Sequence, residues 1–125
     1  AWAQHNKKVN SRVSLSIVEG AVEDVLDEVY QSSVTDGRHC AIIDPPRSGL
    51  HESVCCYLRD QTFLDSWIYL SCNPETQARD LKIICATGQW EVELIQPWDF
   101  FPKSYHVESL VLLKSKKVFM EESAR

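Results

Sequence analysis

The sequence predicts an α/β fold, because apolar strands alternate with amphipathic helices along most of its length. Segments 40–43 and 67–70 are apolar without the alternation of polar residues that marks a strand with one solvated face. Between them, Leu50, Val54 and Leu58 recur at the spacing of one helix face. The two segments are therefore predicted to be buried parallel strands of a βαβ unit.

Upstream of this unit, residues 1–10 are typical of the polar end of a helix, and residues 13–18 alternate in the pattern of a half-buried strand. A helix is predicted after Gly20, with an apolar face at Val22, Val25, Leu26 and Val29. Residues 35–37 (TDG) form a turn signal before the first strand of the βαβ unit.

Downstream, Asn73 is a good N-cap and Pro74 suits the first position of a helix. We expect this helix to run to about Thr87, to end at Gly88, and to turn four residues towards the sheet: Ala78, Leu81, Ile84 and Cys85. Strands are predicted over residues 91–96 and 108–113, and the charged tail 114–125 is predicted to fray.

The composition indicates a globular protein of at most one domain, with 125 residues, of which 44% are hydrophobic and 25% charged. No apolar run approaches the roughly 20 residues of a membrane span, and the first residues lack the charged-then-apolar layout of a secretory signal. We expect an intracellular protein, cytoplasmic in the first instance, with nucleus and mitochondrion as alternatives. The net charge of −5 argues against a nucleic-acid-binding module acting alone.

Five cysteines occur without a CxxC spacing, so neither a disulfide framework nor a zinc site is predicted. Four are predicted to be small buried apolar residues: Cys40, Cys55, Cys56 and Cys85. Cys72 differs because it lies between a predicted strand and the N-cap of a helix. The helix dipole and free N–H groups at that point favour the thiolate, although burial as a structural residue is the commoner fate of a cysteine.

Two further motifs lie at strand ends, where open parallel sheets gather their functional groups. In residues 44–50 (DPPRSGL), two prolines fix an extended turn that could hold the Asp44 carboxylate against a cofactor, or merely cap the next helix. In residues 98–108 (WDFFPKSYHVE), His106 and Glu108 lie on one face of a strand. They could form half of a metal site, but no further ligand cluster accompanies them, and a surface pair is the alternative.

Together these motifs resemble the RNA uracil-5 methyltransferase family, which contains the tRNA and ribosomal-RNA 5-methyluridine enzymes. The resemblance runs from about residue 40 to residue 113, through DPPRSGL, YLSCNPETQARDL and WDFFPKSYHVESLVLL in the family's order. Residues 3–30 resemble the same fold more weakly. The sequence departs from the family's pattern at Trp67 and Trp98, where smaller aliphatic residues are usual, and at Lys103, where glutamine is typical.

The resemblance implies S-adenosylmethionine as cofactor and RNA (tRNA or ribosomal RNA) as substrate, with no metal and no membrane. It implies that Cys72 is the nucleophile and Glu108 the general base. Asp44 matches the family's cofactor-contacting acid. Three further residues are assigned to positioning the base or holding the loops: Arg47, Asn73 and His106.

The implied fold is a Rossmann-like, class I S-adenosylmethionine-dependent methyltransferase fold with strand order 3-2-1-4-5-7-6. Residues 1–113 correspond to its carboxy-terminal portion, without the first two strands and their glycine loop. The four glycines, at positions 20, 37, 49 and 88, form no such loop. We therefore expect a partial catalytic domain that alone neither binds the cofactor well nor turns over.

Two alternatives stay open at this point. An adenine amino-group methyltransferase also uses an acid-Pro-Pro turn, but such enzymes follow the prolines with an aromatic residue, and this sequence has Arg47. The other alternative is an inactive fragment that serves as an RNA-binding or interaction module. The sequence does not decide between tRNA and ribosomal RNA as substrate.

Overall fold

A computed structural model describes residues 2–10, 14–33 and 37–124. The chain forms two compact units, residues 1–34 and 35–125, which are described separately. The first unit contains helices α1 (Trp2–Val9) and α2 (Val22–Ser33), in agreement with the two helices predicted there.

The predicted strand over residues 13–18 is wrong for residues 14–18, which adopt no regular structure; Val13 lies outside the described residues. A strand needs a neighbour to satisfy its backbone groups, and no described residue pairs with this segment. Of the predicted turn 35–37, only Gly37 is described, and its φ of 136° suits a glycine.

The second unit is a mixed four-stranded sheet with helices. Its elements, in chain order, are β1 (Cys40–Ile43), α3 (Glu52–Asp60), β2 (Ser66–Ser71), α4 (Pro74–Ile84), β3 (Trp90–Trp98), β4 (Glu108–Ser115) and α5 (Lys116–Ser123). The strand order is β1-β2-β4-β3. β1 and β2 are parallel, as predicted, and β4 is antiparallel to both of its neighbours. This is the order that the resemblance implies for the fourth, fifth, seventh and sixth strands of its fold.

The core lies on one face of this sheet, where alternate residues of β2 and β4 are buried. They are Trp67, Tyr69 and Ser71 on β2, and Ser109, Val111, Leu113 and Ser115 on β4. The Trp67 ring meets Trp90 edge-on, with ring centroids 6.0 Å apart. The indole N–H of Trp90 donates to the carbonyl of Leu58 at 2.8 Å, which ties the start of β3 to the end of α3. Burying each large side chain stabilises the fold by roughly 1.5–3 kcal/mol.

The second face of the sheet is less buried than the apolar strand sequences predict. Ile42 is 69% exposed and Cys40 is exposed, so the predicted burial of β1 on both faces, and of Cys40, is wrong. The physical reason is that β1 ends the strand order and has one partner among the described strands. Cys55 is buried as predicted, whereas Cys56 and Cys85 are half-buried.

Helix α4 differs from its prediction in its end and in its buried face. It ends at Ile84, earlier than Thr87, and Cys85 is its C-cap. Ala78 is exposed, and the buried positions are Gln77, Asp80 and Ile84. Apolar periodicity misses this face because two of its three residues are polar.

The tail is ordered over residues 114–124, contrary to the predicted fraying. β4 extends to Ser115, and α5 begins at the next residue. The Ser115 hydroxyl accepts a hydrogen bond from the Val118 backbone N–H at 3.4 Å, and Val118 is buried. An N-terminal cap and one buried apolar side chain thus hold a helix in a segment whose charge favoured solvent.

Candidate active site

Three of the predicted site residues lie at one edge of the sheet. Asp44 directly follows β1 and Cys72 directly follows β2, and these two strands are parallel, so their carboxyl ends share an edge. Glu108 begins β4, which is antiparallel to β2, so its amino end lies at the same edge. The sheet topology therefore gathers a thiol and two carboxylates from three separate motifs.

The strand register relates Cys72 to Glu108 closely. The last pair of the β2–β4 ladder is Ser71 with Ser109, so the next position along it sets Cys72 opposite Glu108. Because side chains alternate and both serines are buried on the core face, Cys72 and Glu108 share the other face. Both are half-buried. Directly opposite residues in an antiparallel pair have Cβ atoms about 4.5–5.5 Å apart.

The backbone on either side of Cys72 is fixed by its neighbours. The Ser71 hydroxyl accepts from the Asn73 N–H and donates to the Asn73 carbonyl, both at 3.0 Å. The Asn73 side-chain oxygen accepts from the Glu75 N–H at 3.1 Å, which confirms Asn73 as the N-cap of α4, with Pro74 in its first turn. Cys72 therefore lies directly before the N-cap residue of α4, next to the positive end of that helix's dipole.

The proline loop, residues 44–50, is bonded to the start of α4. The Arg47 carbonyl accepts from the Asn73 amide at 3.2 Å and from the Thr76 hydroxyl at 3.1 Å. Gly49 has a φ of 78°, and a Cβ there would lie 2.5 Å from a carboxylate oxygen of Asp80. Only glycine suits that combination of backbone angle and close approach.

Arg47 also joins the loop to the segment before β4. Its guanidinium Nη2 lies 2.8 Å from His106 Nδ1. A guanidinium only donates, so Nδ1 accepts and the imidazole proton is on Nε2. Hydrogen bonds thus link the three residues predicted separately to position the base: Arg47, Asn73 and His106. With Nδ1 engaged by a cation, His106 is poorly placed to serve as half of a metal site through that nitrogen.

A buried carboxylate that the sequence analysis missed anchors the same loop. Asp80 is fully buried, and its Oδ2 accepts from the Tyr69 hydroxyl at 2.6 Å and from the Leu50 N–H at 2.8 Å. Its Oδ1 accepts from Arg79 Nε at 2.9 Å and Nη2 at 2.7 Å, and Nη2 also donates to the Ser48 carbonyl at 2.9 Å. A signal was available: within the YLSCNPETQARDL motif an aspartate occupies the middle of a helix, where it is unfavourable unless its side chain is bonded.

Burial, the Asp80 carboxylate or both raise the pKa values of neighbouring groups. Burial, and then the hydrogen bond and charge of Asp80, raise the pKa of the Tyr69 phenol, so it stays protonated and donates. The side-chain hydrogen bond to Asp80 raises the pKa of Arg79. Burial, followed by the Asp80 charge, raises the pKa of Cys55 to about 12. The Cys55 thiol is therefore inert at neutral pH.

The three residues gathered at the sheet edge have no such partners. Among the described residues, the Cys72 thiol and the carboxylates of Asp44 and Glu108 make no hydrogen bond or ion pair. Asp44 is exposed. The site thus combines a hydrogen-bonded frame with three side chains that have no protein partner among the described residues. This division of roles is typical of active sites.

Among the described residues, no cluster of three or more His, Cys, Asp or Glu side chains could hold a metal ion. No described helix is long and apolar enough to cross a membrane.

Comparison with known proteins gives consistent matches. The profile of the family described as tRNA (Uracil-5-)-methyltransferase matches residues 28–116. An uncharacterized RNA methyltransferase of Bacteroides thetaiotaomicron is 36% identical over 115 residues, which cover 90% of this chain and 24% of that protein. An uncharacterized RNA methyltransferase of Synechocystis is 37% identical over 112 residues, covering 90% of this chain and 23% of that protein.

A third relative, an uncharacterized RNA methyltransferase of Aquifex aeolicus, is 36% identical over 115 residues, covering 91% of this chain and 25% of its own length. The chain thus spans about a quarter of the length of these relatives. The family profile, in contrast, covers well over half of the chain, including every residue of the sheet edge described above. The chain belongs to the tRNA (uracil-5-)-methyltransferase family.

Proposed function

We propose that the protein methylates carbon 5 of uridine in RNA, with S-adenosylmethionine as methyl donor and Cys72 as a covalent nucleophile. The observation that supports this proposal is the β2–β4 register, whose last pair, Ser71 with Ser109, lies next to Cys72 and Glu108 in the chain. Continued by one position, this register brings Cys72 and Glu108 opposite each other, as is needed for a nucleophile and a base that must both reach one pyrimidine ring.

Carbon 5 of uracil is a weak nucleophile until a group adds at carbon 6. In the proposed reaction the Cys72 thiolate bonds to carbon 6, and the displaced electron pair makes the ring enolate-like, with carbon 5 as its reactive atom. S-adenosylmethionine supplies a methyl group, bonded to a positively charged sulfur, that carbon 5 accepts. Glu108 then removes the remaining proton from carbon 5, the double bond reforms and the Cys72 thiolate leaves.

Asp44, at the edge of the sheet, suits contact with S-adenosylmethionine. Asp44 is an exposed carboxylate without a protein partner among the described residues, and the two following prolines restrict its loop. A carboxylate suits both the hydroxyls and the positive charge of S-adenosylmethionine. We assign Asp44 to cofactor binding.

The hydrogen-bonded group around Cys72 provides donors for the base. His106 accepts from Arg47 at Nδ1, so its Nε2–H can donate to a uracil carbonyl. Arg47 has further N–H groups, and Asn73 holds the Arg47 carbonyl. We infer that these three residues orient the uracil and stabilise the negative charge that develops on its oxygen.

The substrate is RNA in which the target uridine leaves its stack, because neither carbon 5 nor carbon 6 is accessible from both faces inside a helix. Both tRNA and ribosomal RNA meet this description. The net charge of this chain is −5, so most of the phosphate contacts are expected from the remainder of the full-length protein. Because the sequence has no glycine-rich cofactor loop, we propose that the isolated chain does not turn over.

Substitutions in the full-length protein test the proposal. Cys72→Ala should abolish methyl transfer and the denaturation-resistant complex with RNA, whereas Glu108→Gln should abolish turnover and accumulate that complex. Cys56→Ala is the matched control, because Cys56 is also half-buried but lies in α3, and it should retain full activity. A resistant complex formed equally by Cys72→Ala would remove Cys72 from the mechanism. If the unsubstituted full-length protein formed no 5-methyluridine in RNA, an inactive interaction module would be favoured.

A further inference from the structure

The hairpin that joins β3 to β4 exposes four aromatic side chains within eight residues. Trp98 is 48% exposed and Phe100 62% exposed, Phe101 is also exposed, and Tyr105 is fully exposed. A cluster of exposed aromatic side chains is typical of an interaction site. Phe101 has a contact of its own, edge-on to His106 with ring centroids 6.2 Å apart.

Trp98 and Phe100 form a stacked pair of rings. Their rings are nearly parallel, with an interplanar angle of 7° and centroids 5.9 Å apart. Each ring keeps much of its area open to solvent. Two parallel rings that hold each other present a preorganised face, which loses little side-chain freedom when a planar group stacks on it.

The strand register places this surface beside the candidate active site. Trp98 pairs directly with Glu108 across the β3–β4 ladder, so the two side chains share a face. Cys72 follows on that face at the next strand. Neighbouring strands are about 4.8 Å apart, so Trp98 lies roughly 10 Å from Cys72, with Glu108 between them. A base bonded to Cys72 would leave Trp98 facing the adjoining nucleotide.

We propose that Trp98, supported by Phe100, is a stacking platform for an unpaired base next to the target uridine. This inference rests on the function proposed above and names a contact that requires an unpaired base beside the target uridine. Lys103 belongs to the same hairpin, is exposed, and has no ion-pair partner among the described residues. Asp99, the carboxylate in the hairpin, accepts from the Phe101 N–H at 3.2 Å.

An aromatic face beside an available cation is the combination that binds single-stranded nucleic acid, through base stacking and a phosphate contact. Trp98 and Lys103 are also two of the positions where this sequence departs from its family's usual residues. The platform is therefore expected to be a property of this protein rather than of the family's shared chemistry.

The test uses the full-length protein and an RNA loop that contains its mapped 5-methyluridine site, unmethylated. Each nucleotide flanking the uridine is replaced in turn by an abasic ribose, and the dissociation constant is measured with Trp98→Leu and Trp98→Phe. Trp2→Leu is the matched control, because Trp2 is an exposed tryptophan in the other unit.

Trp98→Leu should weaken binding to intact RNA by about 5-fold to 100-fold, the range for one stacked base. At one flanking position, the abasic ribose should weaken RNA binding by the unsubstituted protein as much as Trp98→Leu does. With that abasic RNA, Trp98→Leu should weaken binding no further. Trp98→Phe should restore most of the affinity, and Trp2→Leu should leave the dissociation constant unchanged.

The proposal is overturned if Trp98→Leu weakens binding to every abasic RNA as much as to intact RNA, which indicates a structural role. It is also overturned if Trp98→Leu leaves binding unchanged, as expected if another segment of the protein covers this surface. Covalent complex formation at saturating RNA is scored separately. If the covalent complex forms and Trp98→Leu leaves the dissociation constant unchanged, only the platform is refuted. If the complex does not form and Trp98→Leu weakens binding, only the proposed chemistry is refuted.

Discussion

The buried carboxylate of Asp80 makes the most specific prediction about how the site is held together. Asp80→Ala removes the acceptor for two groups in the interior, the Tyr69 hydroxyl and the Leu50 N–H. Leaving a buried donor without a partner costs about 1–3 kcal/mol, so the two together should cost roughly 3 kcal/mol. Arg79 is 54% exposed and can turn to solvent, so its ion pair adds little.

The loss should be concentrated in the proline loop, because Leu50 and the Arg79 contacts to Ser48 and Leu50 tie that loop to α4. Amide hydrogen exchange of the full-length protein measures it directly. The Leu50 amide should exchange roughly 100-fold faster in Asp80→Ala, since each 1.4 kcal/mol is tenfold. The methylation rate should fall as well, because Arg47 belongs to the same loop.

The chain offers a matched control in Asp60. Asp60 also directly follows an arginine, and its carboxylate accepts hydrogen bonds from Arg59 Nε at 2.8 Å and Nη2 at 2.7 Å. Unlike Asp80, its side chain is 59% exposed. Asp60→Ala should change neither exchange nor activity, because exposed ion pairs contribute little. Unchanged Leu50 exchange in Asp80→Ala, or equal effects of the two substitutions, would refute the clamping role of Asp80.

Three further predictions follow from the same geometry. Gly49→Ala should lower the melting temperature and the methylation rate, because φ is 78° and the added Cβ would meet Asp80; an unchanged melting temperature would contradict the close approach. In the native protein at pH 8, Cys55 should resist alkylation while the exposed Cys40 reacts. Burial and the Asp80 charge raise the pKa of Cys55 to about 12, so nearly all of it is the unreactive thiol at pH 8. Mass spectrometry of the labelled peptides measures the difference, and equal labelling of the two cysteines would contradict it. The isolated chain should bind S-adenosylmethionine weakly in calorimetry, because its sequence has no glycine-rich cofactor loop; tight binding would refute the expectation.

The parallel pair of strands and the place of the motifs could be predicted from sequence patterns, whereas the order of the strands followed only from the family resemblance. Apolar segments bounded by Asp44-Pro45 and Cys72-Asn73 mark two strand ends, and parallel strands bring their carboxyl ends to one edge. The N-cap at Asn73 and the link between Arg47 and His106 are consistent with the positions assigned to them.

What could not be predicted depends on tertiary contacts. The inward face of α4 carries Gln77 and Asp80, whose burial becomes favourable only through partners 8–32 residues away, such as Tyr69 and Ser109. Residues 14–18 have the alternation of a strand but no strand to pair with among the described residues. Local patterns report periodicity, and they do not report whether a partner is present.

The central claim is that the sulfur of Cys72 bonds to carbon 6 of the target uracil. Its most direct test is peptide mapping by mass spectrometry of the full-length protein after reaction with the cofactor and RNA in which 5-fluorouridine replaces the target. Fluorine cannot leave carbon 5 as a proton does, so the proposed adduct should be retained, with its mass on the peptide that contains Cys72. An adduct on another residue, or methylation of normal RNA at the full rate by Cys72→Ala, would contradict the account.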